Sequence, residues 1–353
     1  MKPTIQAHPS VLPTFTRAAE YFGSGEVRVH DVPLPPPADG ELTVRVTACG
    51  ICASETLRWY ADSKAPFVLG HEPVGEVVAL GATAPFAIGQ RVFVHHHAPC
   101  MHCRQCRRGD YVQCQTWRSS KLYPGALSQF MTVPRGNVAH DVLAVPDDVS
   151  DERATLIEPL ATVVKSVRRS GLRAGDRVLV VGLGAMGMLH MLVARQRGAA
   201  TIFGAERSQF RLSKAATFGA DKAVDIGAAP LRDQIMHATG GEGAEIVFVT
   251  PGSLEALQSA ITCVARGGTL VMFTPLPPHE RWPLDVNELF FKDINVVSSY
   301  SAGPDDTRAA LELLTGGLPV DGLFTHRFGL EDVAKAYAAL KDAEASLKVV
   351  VYP

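Results

Sequence analysis

The sequence predicts a two-part α/β protein, with a β-rich, barrel-like region over about residues 25 to 150 followed by a doubly wound parallel sheet. Three observations predict it. Short β-rich runs in the first region are separated by Pro- and Gly-rich turns. From Asp176 onward, strand-like runs alternate with stretches of helical apolar spacing, the pattern of a parallel sheet covered on both faces. One strand-to-helix junction also carries three glycines in the order G-x-G-x-x-G.

In chain order, the first eleven residues carry no pattern. The runs EVRVHDV, ELTVRVTAC, VGEVVAL and QRVFVHH then read as strands. DERATLIEPLATVVKSVRRSG has helical spacing. VLVVGL, TIFGAE, KAVDI, EIVFVT, TLVMF and INVVSSY read as parallel strands, with GMLHMLVARQRGA and SQFRLSKAATFGA as helices among them. The final fifty residues return to a mixed pattern: LFTHRF, a helix through EDVAKAYAALKDA, and the strand LKVVVYP. They are expected to complete the first domain, so the boundaries fall at 1–160 with 299–353, around 161–298. With 353 residues, 46% of them hydrophobic and 20% charged, the chain can bury two cores. Its apolar runs fall short of the roughly 20 residues of a membrane span. A formal charge of -2 without a basic stripe argues against a nucleic-acid partner. Nothing at the N-terminus resembles a signal peptide, so a cytoplasmic location is expected.

The glycine motif is Gly182-Leu183-Gly184-Ala185-Met186-Gly187, directly after VLVV and opening a helix. There the first two glycines let backbone N–H groups and the helix N-terminus meet a pyrophosphate, and Gly187 lets the helix lie close to the strand. Glu206 ends the next strand, nineteen residues after Gly187, where a carboxylate accepts both ribose hydroxyls of an adenosine. Arg207 could stack on adenine or grip a 2′-phosphate. NAD is favoured over NADP because Glu206 would repel that phosphate. Thr250, at the end of EIVFVT, is counted with the cofactor-facing residues.

Cys100, Cys103, Cys106 and Cys114 follow a C-x2-C-x2-C-x7-C spacing that suits four thiolates around one structural zinc with no open position. Disulfides are the alternative, but a chain of this size does not need them. A zinc-ribbon interaction module is a further possibility, although it would not need the glycine-motif domain. Cys263 reads as a buried small hydrophobe. A second group of metal-capable side chains is Cys49, Cys52, His71, Glu72 and, in the run IEPLA, Glu158.

GHEPVGEVVALGATA, CGICASE, the four-cysteine run, IEPLA and VLVVGLGAMG, in this order, resemble the zinc-dependent medium-chain alcohol and polyol dehydrogenases, with an EPLA motif closer to sorbitol- and threonine-type members. The resemblance runs from about residue 25 to the C-terminus. It implies a chaperonin-10-like catalytic domain, a Rossmann domain and an active site between them. It also implies a catalytic zinc on Cys52, His71 and either Glu72 or Glu158, with Cys49 a bystander and Ser54 contacting the substrate oxygen. The implied reaction is hydride transfer between NAD and a secondary alcohol of the polyol, sugar or amino-alcohol class. A homodimer or homotetramer is expected.

Three positions depart from the family pattern. Leu57 stands where many relatives carry a proton-relaying histidine, Glu55 stands where an Asp usually orients the metal-bound imidazole, and Lys165 replaces a common histidine. Lys165 could contact a cofactor phosphate or simply be solvated, and Arg58-Trp59-Tyr60 hints at a hydroxylated or anionic substrate. The same fold hosts zinc-free quinone and enoyl reductases and non-catalytic dinucleotide-binding proteins, but these lack the ligand set of Cys52, His71 and Glu72.

Overall fold

Apolar alternation in the N-terminal region buries one face of an antiparallel sheet, and the last strand of the chain joins it. The computed structural model describes residues 12–353. The expectation that the first eleven residues are uninformative lies outside the described residues. A seven-stranded sheet has the order Phe324–Gly329, Lys348–Tyr352, Leu42–Gly50, Glu72–Leu80, Arg91–Val94 and Val142–Ala144, with Phe130–Val133 also paired to Leu42–Gly50. Val350 lies opposite Gly50 and Val351 opposite Cys49, so the C-terminal strand abuts the CGIC segment. A separate three-stranded sheet joins Phe15–Gly23, Glu26–Pro33 and Phe67–Val68. Its strand Phe15–Gly23 was not expected, because FTRAAEYFG lacks clean alternation; its pairing comes from a hairpin with the following strand.

The second sheet has six parallel strands in the order Lys222–Asp225, Thr201–Glu206, Arg177–Val181, Ala244–Val249, Val264–Met272 and Asn295–Ser298. This is the doubly wound order in which a ligand crevice opens outside the strands' carboxyl ends, where the strand order reverses. Its strands are near-continuous apolar runs because helices cover both faces.

The helical stretch expected from Asp151 to Gly171 is divided. Ser150 caps a short helix, Asp151–Ala154, by accepting a hydrogen bond from the Arg153 N–H. A second helix then runs Ile157–Ser170. Pro159 explains the division: proline is tolerated only in a first turn, so the longer helix has to begin just before it. This helix packs on Pro304–Thr315 and Ala185–Gln196 and touches strands of both sheets, which places Glu158 at the buried junction.

Candidate active site and metal centres

The strand Leu42–Gly50 ends at the active-site segment, and Gly50 pairs in register with Glu72, the first residue of the neighbouring strand. Cys52 and His71 therefore flank one end of the same sheet. Ligand atoms of Cys52, His71 and Glu72 lie within 4.8 Å of one another. Their donor set of sulfur, nitrogen and oxygen suits zinc with one position left open.

The imidazole is held from behind. Glu55 Oε1 accepts from the Gly70 N–H at 2.8 Å and from His71 Nδ1 at 3.1 Å, and the Tyr337 hydroxyl donates to the other carboxylate oxygen. With Nδ1 engaged, His71 presents Nε2 to the cluster. The extra methylene of Glu55 thus reaches the ring as a carboxylate here must. Burial pushes the Glu55 carboxyl up, but His71 and the donated hydrogen bonds outweigh it and hold the pKa below the usual range. Ser54 Oγ donates to Cys52 Sγ at 3.2 Å.

Glu72 is fully buried. One of its oxygens receives the ammonium of Lys348, which also donates to the Ile51 carbonyl at 3.1 Å. The other, Oε1, is buried without a partner among the described residues. A buried carboxylate with an oxygen free of protein partners, grouped with a thiol and an imidazole, is a donor set that suits zinc, so these residues fit the metal. Burial pushes the Lys348 ammonium down, but the Glu72 carboxylate outweighs it and raises the pKa. A Cβ on Gly50 would sit 1.9 Å from Glu72 Oε2, so only glycine leaves room for this pair. Lys348 and Tyr337 were missed from sequence because each lies more than 250 residues from its partner.

Glu158 is not brought into that cluster. Its carboxylate groups with His95 and His96, again within 4.8 Å. Burial raises its pKa. His95 Nδ1 donates to Asp141 at 2.7 Å, while His95 Nε2 and His96 Nδ1 are buried without partners among the described residues. The run His95-His96-His97 matches no motif in the sequence, and its position immediately before the cysteine lobe was the available signal. Cys49 is fully buried, its thiol is pushed up by burial, and it donates to the Gly50 carbonyl at 3.4 Å. Lys165 does not stand free: its ammonium donates to the Tyr300 carbonyl at 2.6 Å, and burial lowers its pKa to about 8.

The four-cysteine segment wraps around Val112 and Trp117. Ligand atoms of Cys100, Cys103, Cys106 and Cys114 lie within 4.8 Å of one another, and none forms a disulfide. Four converging thiols with no disulfide among them fit one zinc with a closed shell.

At the crevice of the parallel sheet, Gly184 caps the helix Ala185–Gln196. A Cβ on Gly187 would lie 1.9 Å from the Gly182 carbonyl oxygen, so helix and strand can approach only with glycine there. Glu206 accepts from the Leu183 N–H at 2.9 Å and from the Arg207 N–H at 2.7 Å, which fixes its carboxylate beside the glycine turn. The Arg207 side chain turns away to pair with Glu255. Arg211, not singled out in the sequence, stands 3.6 Å from Glu206. Thr250 Oγ1 donates to the carbonyls of Val181 and Gly182 at 3.1 and 2.9 Å, closing the other side of the turn. This loop, helix terminus and carboxylate fit a dinucleotide.

A family model described as an alcohol dehydrogenase GroES-like domain matches residues 38–147, and one described as a zinc-binding dehydrogenase matches residues 185–316. The chain is 29% identical over 353 residues to a sorbitol dehydrogenase of Bacillus subtilis, covering 97% of this chain and 98% of that one. It is 32% identical over 329 residues to an L-threonine 3-dehydrogenase of a Chelativorans species, covering 91% and 93%. Among solved structures, a zinc-binding dehydrogenase of Sinorhizobium meliloti bound to NADP superposes with a TM-score of 0.87 at 26% identity, covering 97% of this chain and 100% of that one.

Proposed function

The chain belongs to the zinc-dependent medium-chain alcohol and polyol dehydrogenases, and from that premise we propose that Cys52, His71 and Glu72 form its catalytic metal site. It is a zinc-dependent alcohol oxidoreductase acting on CH–OH groups with a nicotinamide dinucleotide. The observation that carries the proposed site is the convergence of one ligand atom from each of these three residues, together with a Glu72 oxygen that is buried without a partner among the described residues. In this reading the four cysteines hold a second, structural zinc, and the catalytic unit comprises 1–160 and 299–353 around a dinucleotide unit at 161–298. A homodimer or homotetramer remains the expected assembly. No helix among the described residues is long and apolar enough to cross a membrane.

When bound, zinc supplies Lewis acidity at the alcohol oxygen and the nicotinamide supplies the hydride acceptor. Glu55 keeps His71 in the tautomer that offers Nε2. The Ser54 hydroxyl sits beside Cys52 and takes the alcohol proton, handing it to water or a ribose hydroxyl because Leu57 offers no relay. Glu206 selects NAD: a 2′-phosphate there would face a carboxylate and lose the ribose hydrogen bonds. The substrates proposed are secondary alcohols of the polyol, sugar or amino-alcohol class.

Reduction of NAD against a panel of such alcohols tests the activity. Ser54→Ala is expected to lower kcat about a hundredfold or more, within the range of proton-transfer catalysis, with zinc content and NADH affinity unchanged. Near-parental turnover by that variant would remove Ser54 from the mechanism. A higher kcat/KM with NADP would overturn the role given to Glu206 and assign the ribose end to Arg207 and Arg211.

A further inference from the structure

The strand Arg91–Val94 runs antiparallel to Val142–Ala144 with Val94 opposite Val142, so the next residue, His95, falls opposite Asp141. Backbone and side chain both hold it there. The His95 N–H donates to the Asp141 carbonyl at 3.1 Å, and His95 Nδ1 donates to the Asp141 carboxylate at 2.7 Å. That carboxylate accepts in turn from the Thr307 hydroxyl at 2.5 Å, while the His95 carbonyl accepts from the Asn137 amide at 2.8 Å. His95, Asn137, Asp141 and Thr307 are all fully buried. A carboxylate on one ring nitrogen fixes the tautomer and leaves the other nitrogen as a lone-pair donor, the arrangement that supports metal-binding histidines.

The other nitrogen, His95 Nε2, is buried without a partner among the described residues, and so is Nδ1 of His96. The two rings lie 4.8 Å apart. Glu158, from the first turn of Ile157–Ser170, is 5% exposed, and one ligand atom from each of His95, His96 and Glu158 lies within 4.8 Å of the others. Zinc bonds of about 2.0–2.2 Å set two ligands of one ion about 3–4 Å apart, so the group already stands near that spacing. A proton on Glu158 would serve one imidazole nitrogen and leave the other bare, whereas a cation serves all three donors at once. Charge points the same way: among the described residues, neither Asp141 nor Glu158 has a lysine or arginine at ion-pair distance, and a divalent cation offsets two buried carboxylates.

We propose that His95, His96 and Glu158 form a further metal site, separate from the four-cysteine lobe and from Cys52, His71 and Glu72, and that it takes zinc. Two imidazoles and a carboxylate suit that ion and leave one position of a tetrahedron for water or a substrate oxygen. Asp141 is a positioning residue that keeps His95 Nε2 unprotonated and turned to the ion. The His96 ring lies 5.0 Å from the His71 ring, so the two sites are neighbours that share no ligand.

The test is metal analysis of the full chain after equilibration with excess zinc and removal of free metal. A variant carrying His96→Gln and Glu158→Gln is expected to hold one zinc per chain fewer than the parent, with NADH binding and thermal unfolding as the checks on folding. This difference does not depend on what the two thiol-containing clusters hold. Combined with Cys52→Ala, the loss should rise to two; a combined loss no greater than either variant alone would mean one shared ion and overturn the separate site. Equal zinc in the parent and the folded His96→Gln, Glu158→Gln variant would also overturn it, leaving an ordered water among these donors and the alcohol oxidoreductase reading untouched. Cobalt(II) in place of zinc gives a readout on the parent that needs no variant. One equivalent should add d–d absorption without thiolate-to-cobalt charge transfer, and charge transfer accompanying every equivalent taken up would overturn the proposal.

Discussion

In the lobe of Cys100, Cys103, Cys106 and Cys114 every ligand comes from fifteen consecutive residues, whereas Cys52, His71 and Glu72 converge from two strand ends. The second cluster also leans on Tyr337 and Lys348 from the far end of the chain. The local cluster needs little more than its own turns and the Trp117 core. The dispersed one needs the whole sheet, with Lys348 opposite an otherwise uncompensated buried carboxylate. Ligands from a single segment can tie that segment together, whereas ligands from several elements report that those elements have already assembled.

The widest separation between the two clusters should come from removing ligands. Cys52→Ala is expected to lower kcat/KM at least about a thousandfold, about 4 kcal/mol of transition-state stabilisation, with little change in Tm. Cys103→Ser with Cys106→Ser should instead lose one zinc per chain and unfold at lower temperature. Metal analysis, calorimetry and steady-state kinetics on both variants decide this, and equal losses of Tm would collapse the distinction.

Lys348→Met sharpens the comparison by leaving Glu72 buried and unpaired. A loss of about 3–5 kcal/mol in denaturant unfolding is expected, the usual cost of deleting one partner of a buried pair. The loss should be larger in protein stripped of zinc than in loaded protein, because the metal compensates the same carboxylate. Adding Glu72→Gln should restore stability but not activity. An identical loss with and without zinc would show that Lys348 acts independently of the metal site.

His190 offers a contrast remote from both clusters. It is fully buried in the dinucleotide unit, with Nδ1 donating to the Met186 carbonyl at 2.7 Å and Ser166 donating to Nε2 at 2.9 Å. Burial lowers its pKa to about 4. Above the unfolded value near 6.5 both states are neutral and the ring contributes no pH dependence. Between about 6.5 and 4 only the unfolded chain takes up the proton, so stability falls with pH by up to about 3 kcal/mol. Urea unfolding from pH 7 to 4 should show this slope, and His190→Gln should remove much of it.

The smallest effect expected is that of Tyr337→Phe. Loss of its hydrogen bond to Glu55 should cost about 1 kcal/mol of stability and weaken zinc binding about tenfold. Competition with a chelator measures the affinity, and an unchanged value would mean that Gly70 and His71 suffice to hold Glu55.

Much of the architecture was legible because it is periodic. Strands such as Arg177–Val181 and Thr201–Glu206 and the helix that follows Gly184 carry apolar runs and glycines whose meaning is local. The strand Phe15–Gly23 was not legible, since its identity comes from the hairpin partner and not from its own alternation. The single helix read from Asp151 failed at Pro159, where a local rule for proline was available and decisive.

By itself the sequence determined the ligand types, the four-cysteine spacing, the glycine turn with Glu206, and the alternation that makes a doubly wound sheet. Each depends on residues close together in the chain, so composition and spacing carry the information. Tertiary structure alone brought a ligand atom of Glu72 within 4.8 Å of those of Cys52 and His71, set Lys348 against Glu72, and let Tyr337 donate to Glu55. It likewise turned Arg207 toward Glu255 and Lys165 toward Tyr300. For Glu72 and Glu55 the physical reason is that a buried charge must find its partner in space, and sequence separation carries no record of which partner that is.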